Sequence, residues 1–234
     1  YWRLYQYIKK EKRPLRFLAS RNRTYWSIYY TLRKIIRHNK KSPIIFEIGS
    51  GLGYLTYALR RAGYNATGLD ISEEAIKKAI SDFGDYYVCA DIMQYVQEHI
   101  GGVDIVILTE VIEHIKDPIT FLRAIRSLLK DRGYIILTTP NKSYAPSSLV
   151  WATDHPPVHF WWFSEDSITF IARQLDLNVE FVDFSKCYME RMHPSHPPTS
   201  DIEDKYIFSV DGHPFEYANH TPRYGILPRW FKKT

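Results

Sequence analysis

Three glycines at alternate positions, Gly49, Gly51 and Gly53, follow the apolar run Ile44–Ile48, and Glu47 sits two residues before the first of them. A buried strand that turns through such residues into a helix leaves backbone N–H groups and the positive helix end facing one spot, so the turn can cradle a ligand. The spacing is not the G-x-G-x-x-G of a dinucleotide-binding turn, because position 54 is Tyr. A carboxylate beside the turn suits an ammonium or sulfonium group and opposes a pyrophosphate. Two more acids fall at equivalent places, Asp70 after residues 66–69 and Asp91 after residues 86–90. Asp70, 21 residues after Gly49, is placed to accept hydrogen bonds from a pair of ribose hydroxyls. Asp91 can accept from an exocyclic amino group of adenine. Further on, Thr109-Glu110-Val111-Ile112-Glu113-His114 follows the apolar run 103–108, and an aromatic stretch holds His155 and His159. Carboxylates and imidazoles in that grouping can act as bases or hold a cation.

These residues need strand ends to carry them. From residue 44 onward, short apolar runs alternate with helical patterns, which implies an α/β fold with a mostly parallel sheet covered on both faces. Strands are expected at 44–48, 66–69, 86–90, 103–108, 134–139, 179–184 and 206–210. Gly63 ends a helix over 52–62; Ser72 caps the next one, with Ile71 stapled onto Ile76; Asp117-Pro118 and Ser164 start two more. The methyl-rich core of such a domain fits 234 residues. Two stretches exceed the minimal repeat: an aromatic insertion at 142–163 with Trp151 and Phe160 to Phe163, and a polar, proline-rich hairpin extension at 185–204. The tail 211–234 carries no readable structure.

Charge divides the chain. Residues 1–41 hold 13 Lys/Arg against Glu11 alone, a net of +12, which leaves −7 of the overall +5 for the remainder. Thr24 caps a helix whose apolar side, from Tyr25 to Ile36, packs over the domain that follows at 42–210, with a solvated basic face. A sharper reading gives this N-terminal helical arm a contact with an anionic surface or RNA. No stretch is long and apolar enough to span a membrane or reads as a signal peptide, and two cysteines, Cys89 and Cys187, make no disulfide framework. The expected setting is the cytoplasm, including its membrane periphery.

The set Glu47-Ile-Gly49-Ser-Gly51-Leu-Gly53, Gly68-Leu-Asp70, Ala90-Asp91-Ile92, Glu110-Val-Ile-Glu113-His114-Ile-Lys-Asp-Pro118 and Thr138-Thr-Pro140-Asn141 resembles the class I S-adenosylmethionine-dependent methyltransferases. It is most similar to the broad group that includes the ubiquinone-biosynthesis O-methyltransferases, over residues 42–184. The resemblance implies a seven-stranded Rossmann-like sheet with helices on both faces. It also implies that Glu47 and the turn Gly49, Ser50, Gly51 and Gly53 hold the methionine part of S-adenosylmethionine. Asp70 and Ile71 would take the ribose, Asp91 and Ile92 the adenine, and Thr109 with Glu110 the methyl-donor side, with S-adenosylhomocysteine as product.

Two subclasses are excluded. Amino-methylating DNA enzymes carry an Asp/Asn-Pro-Pro-aromatic motif after the fourth strand, where this chain has Thr109 to Ile112, and neither cysteine sits where a carbon-methylating nucleophile would. The expected reaction is methyl transfer to oxygen of a small-molecule, lipid or glycan acceptor. His159 and His155 are the first candidates for the base, then His114 and Glu110. The group Glu110, Glu113, His114 and His159 is also similar to the cation site of small-RNA 2′-O-methyltransferases, where a helix starting near Val111 would let the ligands converge. The preferred reading keeps His159 as a base or substrate contact without a divalent cation. A cofactor-binding module without catalysis is the remaining alternative.

Overall fold

The computed structural model describes residues 7–36, 42–144, 149–150, 158–183, 206–209, 214–216 and 229–233. In chain order the elements are α1 Pro14–Arg21, α2 Arg23–Ile36, β1 Ile44–Ile48, α3 Tyr54–Arg61, β2 Asn65–Asp70, α4 Glu73–Phe83, β3 Tyr87–Cys89, α5 Ile92–Glu98 and β4 Val103–Thr109. They continue with α6 Pro118–Leu128, β5 Leu129–Thr138, β6 Leu149–Val150, α7 Glu165–Gln174, β7 Leu177–Phe181, β8 Tyr206–Ser209, β9 Pro214–Glu216 and β10 Arg229–Lys233.

Strands β3, β2, β1, β4 and β5 lie side by side in that order and are parallel throughout. β1 is therefore paired with β2 on one side and β4 on the other, and the strand order reverses there. β10 extends the sheet antiparallel to β5, and β7 pairs antiparallel to β10. The result is an α/β Rossmann-like sheet with helices on both faces. One expected strand is corrected: Tyr206–Ser209 does not join this sheet but lies between β6 and β9 in a separate three-stranded sheet. The antiparallel place is taken by β10, from the tail that carried no readable pattern.

Side chains alternate across a strand, and the two cores follow that period. Ile45, Ile105, Ile107 and Ile136 face Leu18 of α1, Ile28 and Leu32 of α2 and Leu59 of α3. Phe46, Ile48, Val106, Leu108, Ile135 and Leu137 face Val96 of α5, Phe121, Leu122 and Ile125 of α6, and Ile168 and Ile171 of α7. The N-terminal helices thus belong to one core with the sheet, with the apolar side of α2 packed inward. Its cap also differs from expectation. Asn22 ends α1 and accepts a hydrogen bond from Thr24 N at 2.7 Å, so Asn22 caps α2, while Thr24 is buried inside the helix.

Three smaller expectations also change. The stretch after β4 forms only a single 3-10 turn, Ile112–His114, instead of a helix from Val111. Ile71 is 72% exposed and does not staple onto Ile76. The helix α5, with Asp91 at its N-cap, had no sequence expectation. Trp151, His155, Cys187 and the proposed hairpin 185–204 lie outside the described residues. Among the described residues, no helix is long and apolar enough to cross a membrane.

Because Ile28 is fully buried against the sheet, Ile28→Ala should lower unfolding free energy by about 2–5 kcal/mol in urea titration. A loss below about 1 kcal/mol would mean that α2 is a detachable appendage.

Candidate active site

The turn after β1 has all three glycines at positive φ: 74° at Gly49, 49° at Gly51 and 79° at Gly53. Each does something different. A Cβ on Gly49 would fall 2.5 Å from Val111 Cγ2, and one on Gly53 would fall 2.6 Å from the Tyr87 ring, so those glycines make room for protein. A Cβ on Gly51 would meet nothing within 4 Å, which leaves open space beside the turn. The Tyr87 hydroxyl donates to Gly53 O at 2.7 Å and pins the turn from below. Sequence reasoning missed Tyr87, although a glycine needing room for a ring across two strands is its trace.

Asp70 ends β2 at the edge of that space. Its Oδ2 accepts from Gly51 N at 2.7 Å and its Oδ1 from Ser72 N at 2.9 Å. The two amides fix the carboxylate while each oxygen keeps a lone pair for a hydroxyl. Asp91 is held similarly, with Met93 N donating to Oδ1 at 2.8 Å, so it caps α5 and faces the cleft at once. The cleft measures about 430 Å³, and Gly49, Asp70, Ile71, Asp91 and Ile92 line it as the sequence predicted. Met93, Val111, Lys116, Thr120 and Phe121 line it too and were missed. Their sequence signal was the helix start Asp117-Pro118, whose first turn faces the same crevice. Glu47, Ser50, Gly51, Gly53, Thr109 and Glu110 are not among the residues lining this cleft. The hydroxyls of Ser50 and Thr109 are buried with no hydrogen-bond partner among the described residues.

Glu47 lies under the turn, 3% exposed, and its Oε2 accepts from the Thr56 hydroxyl at 2.5 Å. Burial pushes its pKa up to about 8; the Asp70 charge adds to the rise, and the hydrogen bonds from Thr56 oppose it. At neutral pH the carboxyl therefore mostly keeps its proton.

Beyond the cleft, the end of β5 ties the other candidates together. Glu110 adopts a left-handed φ of 53°, a conformation of some cost for a side chain with Cβ, and its N–H donates to Thr138 O at 3.1 Å. Thr139 Oγ1 donates to the buried Glu113 Oε2 at 2.9 Å. Phe160 N donates to Glu113 O at 2.8 Å, which folds the aromatic strap from 158 to 163 back over β4. There His114 Nδ1 lies 2.6 Å from Val158 O, and a carbonyl only accepts, so Nδ1 carries the proton and Nε2 is left as base or ligand. The His114 and His159 rings meet edge to face at 4.7 Å. One ligand atom each from Glu113, His114 and His159 lie within 4.8 Å of one another; Glu110 is not in that group. His155 is outside the described residues. Phe160, Trp161 and Trp162 are each 46% exposed, whereas Phe163 is buried.

With this geometry in view, the likenesses to other proteins are informative. Residues 19–181 match the family described as Methyltransferase domain. The chain belongs to that family, and its class is that of the class I S-adenosylmethionine-dependent methyltransferases. It is 36% identical over 104 residues to the ubiquinone biosynthesis O-methyltransferase of Caulobacter vibrioides, covering 42% of this chain and 41% of that protein. It is 31% identical over 113 residues to the corresponding enzyme of Bordetella avium, covering 46% of each. The chain therefore matches less than half the length of these curated relatives. Among solved structures, a SAM-dependent methyltransferase from Archaeoglobus fulgidus superposes with a TM-score of 0.57 at 21% identity, covering 88% of this chain and 93% of that one. Magnesium protoporphyrin IX methyltransferase from Synechocystis PCC 6803, solved with bound SAM, gives 0.56 at 15% identity, covering 99% and 88%. At these identities the structures share the fold.

A pH test follows from Glu47. Its folded pKa of about 8 lies above the ordinary 4.5, so its contribution to stability is full below about 4.5 and is lost as pH rises through about 8. Melting temperatures of the ligand-free protein should show this decline, and Glu47→Gln should flatten it. Superimposable pH profiles for the two proteins would contradict the burial argument.

Proposed function

We propose that this chain transfers a methyl group to a hydroxyl oxygen of a small-molecule, lipid or glycan acceptor. The observation that carries the reading is the open space above Gly51, bounded by an Asp70 carboxylate that two backbone amides already orient. That cradle fits a nucleoside: Asp70 would hold the ribose hydroxyls, Asp91 and Ile92 the adenine, and Glu47 with the turn from Gly49 to Gly53 the charged methionine end. Ile71 would cover the ribose, and Thr109 and Glu110 would face the methyl side. When bound, S-adenosylmethionine supplies an electrophilic methyl on a positively charged sulfur. The remaining work of the site is to hold an acceptor oxygen in line with that methyl, and well-aligned proximity alone can supply about 7–11 kcal/mol of barrier lowering.

A hydroxyl must also lose its proton. His159, with the His114 ring beside it, is assigned that task, because the strap carries its ring against His114 in the turn that follows β4. The O-methyltransferase relatives support an oxygen acceptor. A second reading has its own support in the convergence of Glu113, His114 and His159. Its donor set of one carboxylate and two imidazoles suits a divalent ion that would bind the acceptor hydroxyl and lower its pKa. The backbone carbonyl on His114 Nδ1 is the usual outer support of a ligating imidazole.

For the cofactor half, Asp70→Ala removes a charge-assisted hydrogen-bond acceptor worth about 1.5–3 kcal/mol, so calorimetric affinity for S-adenosylhomocysteine should fall at least about tenfold. Unchanged binding would sink the ribose assignment. For the acceptor half, a panel of hydroxylated aromatic, lipid and sugar acceptors and short RNA should be assayed for methyl uptake with and without a chelator. Chelator-insensitive transfer that His159→Ala cripples supports the base. Transfer that a chelator abolishes and magnesium or manganese restores, with Glu113→Ala as damaging as chelation, establishes the cation instead.

A further inference from the structure

The charge on the N-terminal layer is arranged for something outside the protein. α1 buries Pro14, Leu15, Leu18 and Ala19 and turns Arg13, Arg16 and Arg21 outward, while Lys9, Lys10 and Lys12 project from the turn before it. Among the described residues, Lys10, Lys12, Arg13, Arg16 and Arg21 make no ion pair, and Lys9 reaches Asp82 only at 3.9 Å. Elsewhere among the described residues some surface cations are paired, Lys34 with Glu180, Lys77 with Glu73, Lys78 with Asp82 and Lys130 with Asp104, and the unpaired ones, such as Arg61, Arg123 and Arg173, are scattered along the sequence and not gathered in one segment. Six like charges within 13 residues repel one another and lower stability unless an external anion offsets them.

We infer that the outer face of α1, with the turn ahead of it, is a docking surface for a bilayer carrying anionic headgroups. A basic helix whose apolar side is packed on a rigid body keeps its cations on the solvent side, where an anionic headgroup layer can meet them. Tyr7, 54% exposed with the Lys10 ammonium 5.4 Å from its ring centre, pairs an aromatic with a cation as interfacial residues do. An RNA strand fits this face less well. Neither the cofactor cleft nor a second cleft, at the amino ends of β1 and β4, includes a residue of α1, so neither offers this face a groove for a backbone. The rings that would stack bases are covered by the chain's own cations, Lys10 over Tyr7 and Arg21 over Phe17. The face lies on the α1–α2–α3 side of the sheet, away from the aromatic strap, so docking there leaves the strap uncovered.

The test is co-sedimentation of the whole chain with phosphatidylcholine vesicles and with vesicles containing about 30% phosphatidylglycerol. Binding should appear only with the anionic vesicles and disappear at about 0.5 M salt. Lys10→Glu, Lys12→Glu and Arg16→Glu together should lower partitioning at least about tenfold, since each cation near the surface contributes severalfold. Arg123→Glu with Arg173→Glu, on the other side of the sheet, should change it little. Equal binding to neutral vesicles or salt-insensitive binding would overturn the inference without any variant, and so would a folded triple variant that binds as wild type. So would capture of an oligouridine probe with no vesicle binding, which would assign the face to RNA.

Discussion

Everything functional in this fold follows from β1 being hydrogen-bonded to β2 on one side and β4 on the other. With all five central strands parallel, their carboxyl ends share one edge, and the connections leaving β1 and β4 go to helices on opposite faces. A crevice must open between them. Gly49, Asp70 and Asp91 stand on one side of it, and Val111 and Ile115 to Phe121 on the other. The two sides touch where Val111 packs into the space that a side chain at position 49 would need.

That constraint explains why so much of the site was legible in the sequence. β1 falls at Ile44–Ile48 as read, because an apolar run ending in alternate glycines has few other conformations. Asp70 and Asp91 were found because strand ends in a parallel sheet are where ligands sit. What the sequence hid has physical reasons too. Asp91 was read as a ligand residue, yet it also caps α5, a short helix whose few buried positions, Ile92 and Val96, leave almost no periodic signal. The turn at Ile112–His114 looked helical from spacing alone, but the left-handed Glu110 redirects the backbone before a helix can start. β10 was unreadable because an antiparallel strand completing a sheet from a distant tail depends on its partners, not on its own pattern. The packing of the basic segment was legible from the apolar spacing between Tyr25 and Ile36: its buried side, Ile28 and Leu32 among it, lies in one core with the sheet.

The loop after β4 and the aromatic strap depend on a different set of contacts. Thr138 and Thr139 hold Glu110 and Glu113, while Glu113 O and the Ile115 carbonyl anchor Phe160 N and the Trp161 indole N–H. The strap is therefore tied to the same loop whose next residues line the cleft, so strap and cleft share backbone. The buried Glu47 adds an electrostatic link. A carboxyl that prefers its proton in the empty protein favours losing it when a positive ligand sits over the turn.

The central claim is that one crevice at the carboxyl ends of β1, β2 and β3 receives the cofactor. A crystal structure determined with S-adenosylhomocysteine tests it most directly. The account predicts ligand density with ribose hydroxyls within hydrogen-bond distance of Asp70 and the adenine between Ile71, Asp91 to Met93 and Phe121. Density elsewhere on the protein, or an empty crevice at saturating ligand, would contradict it.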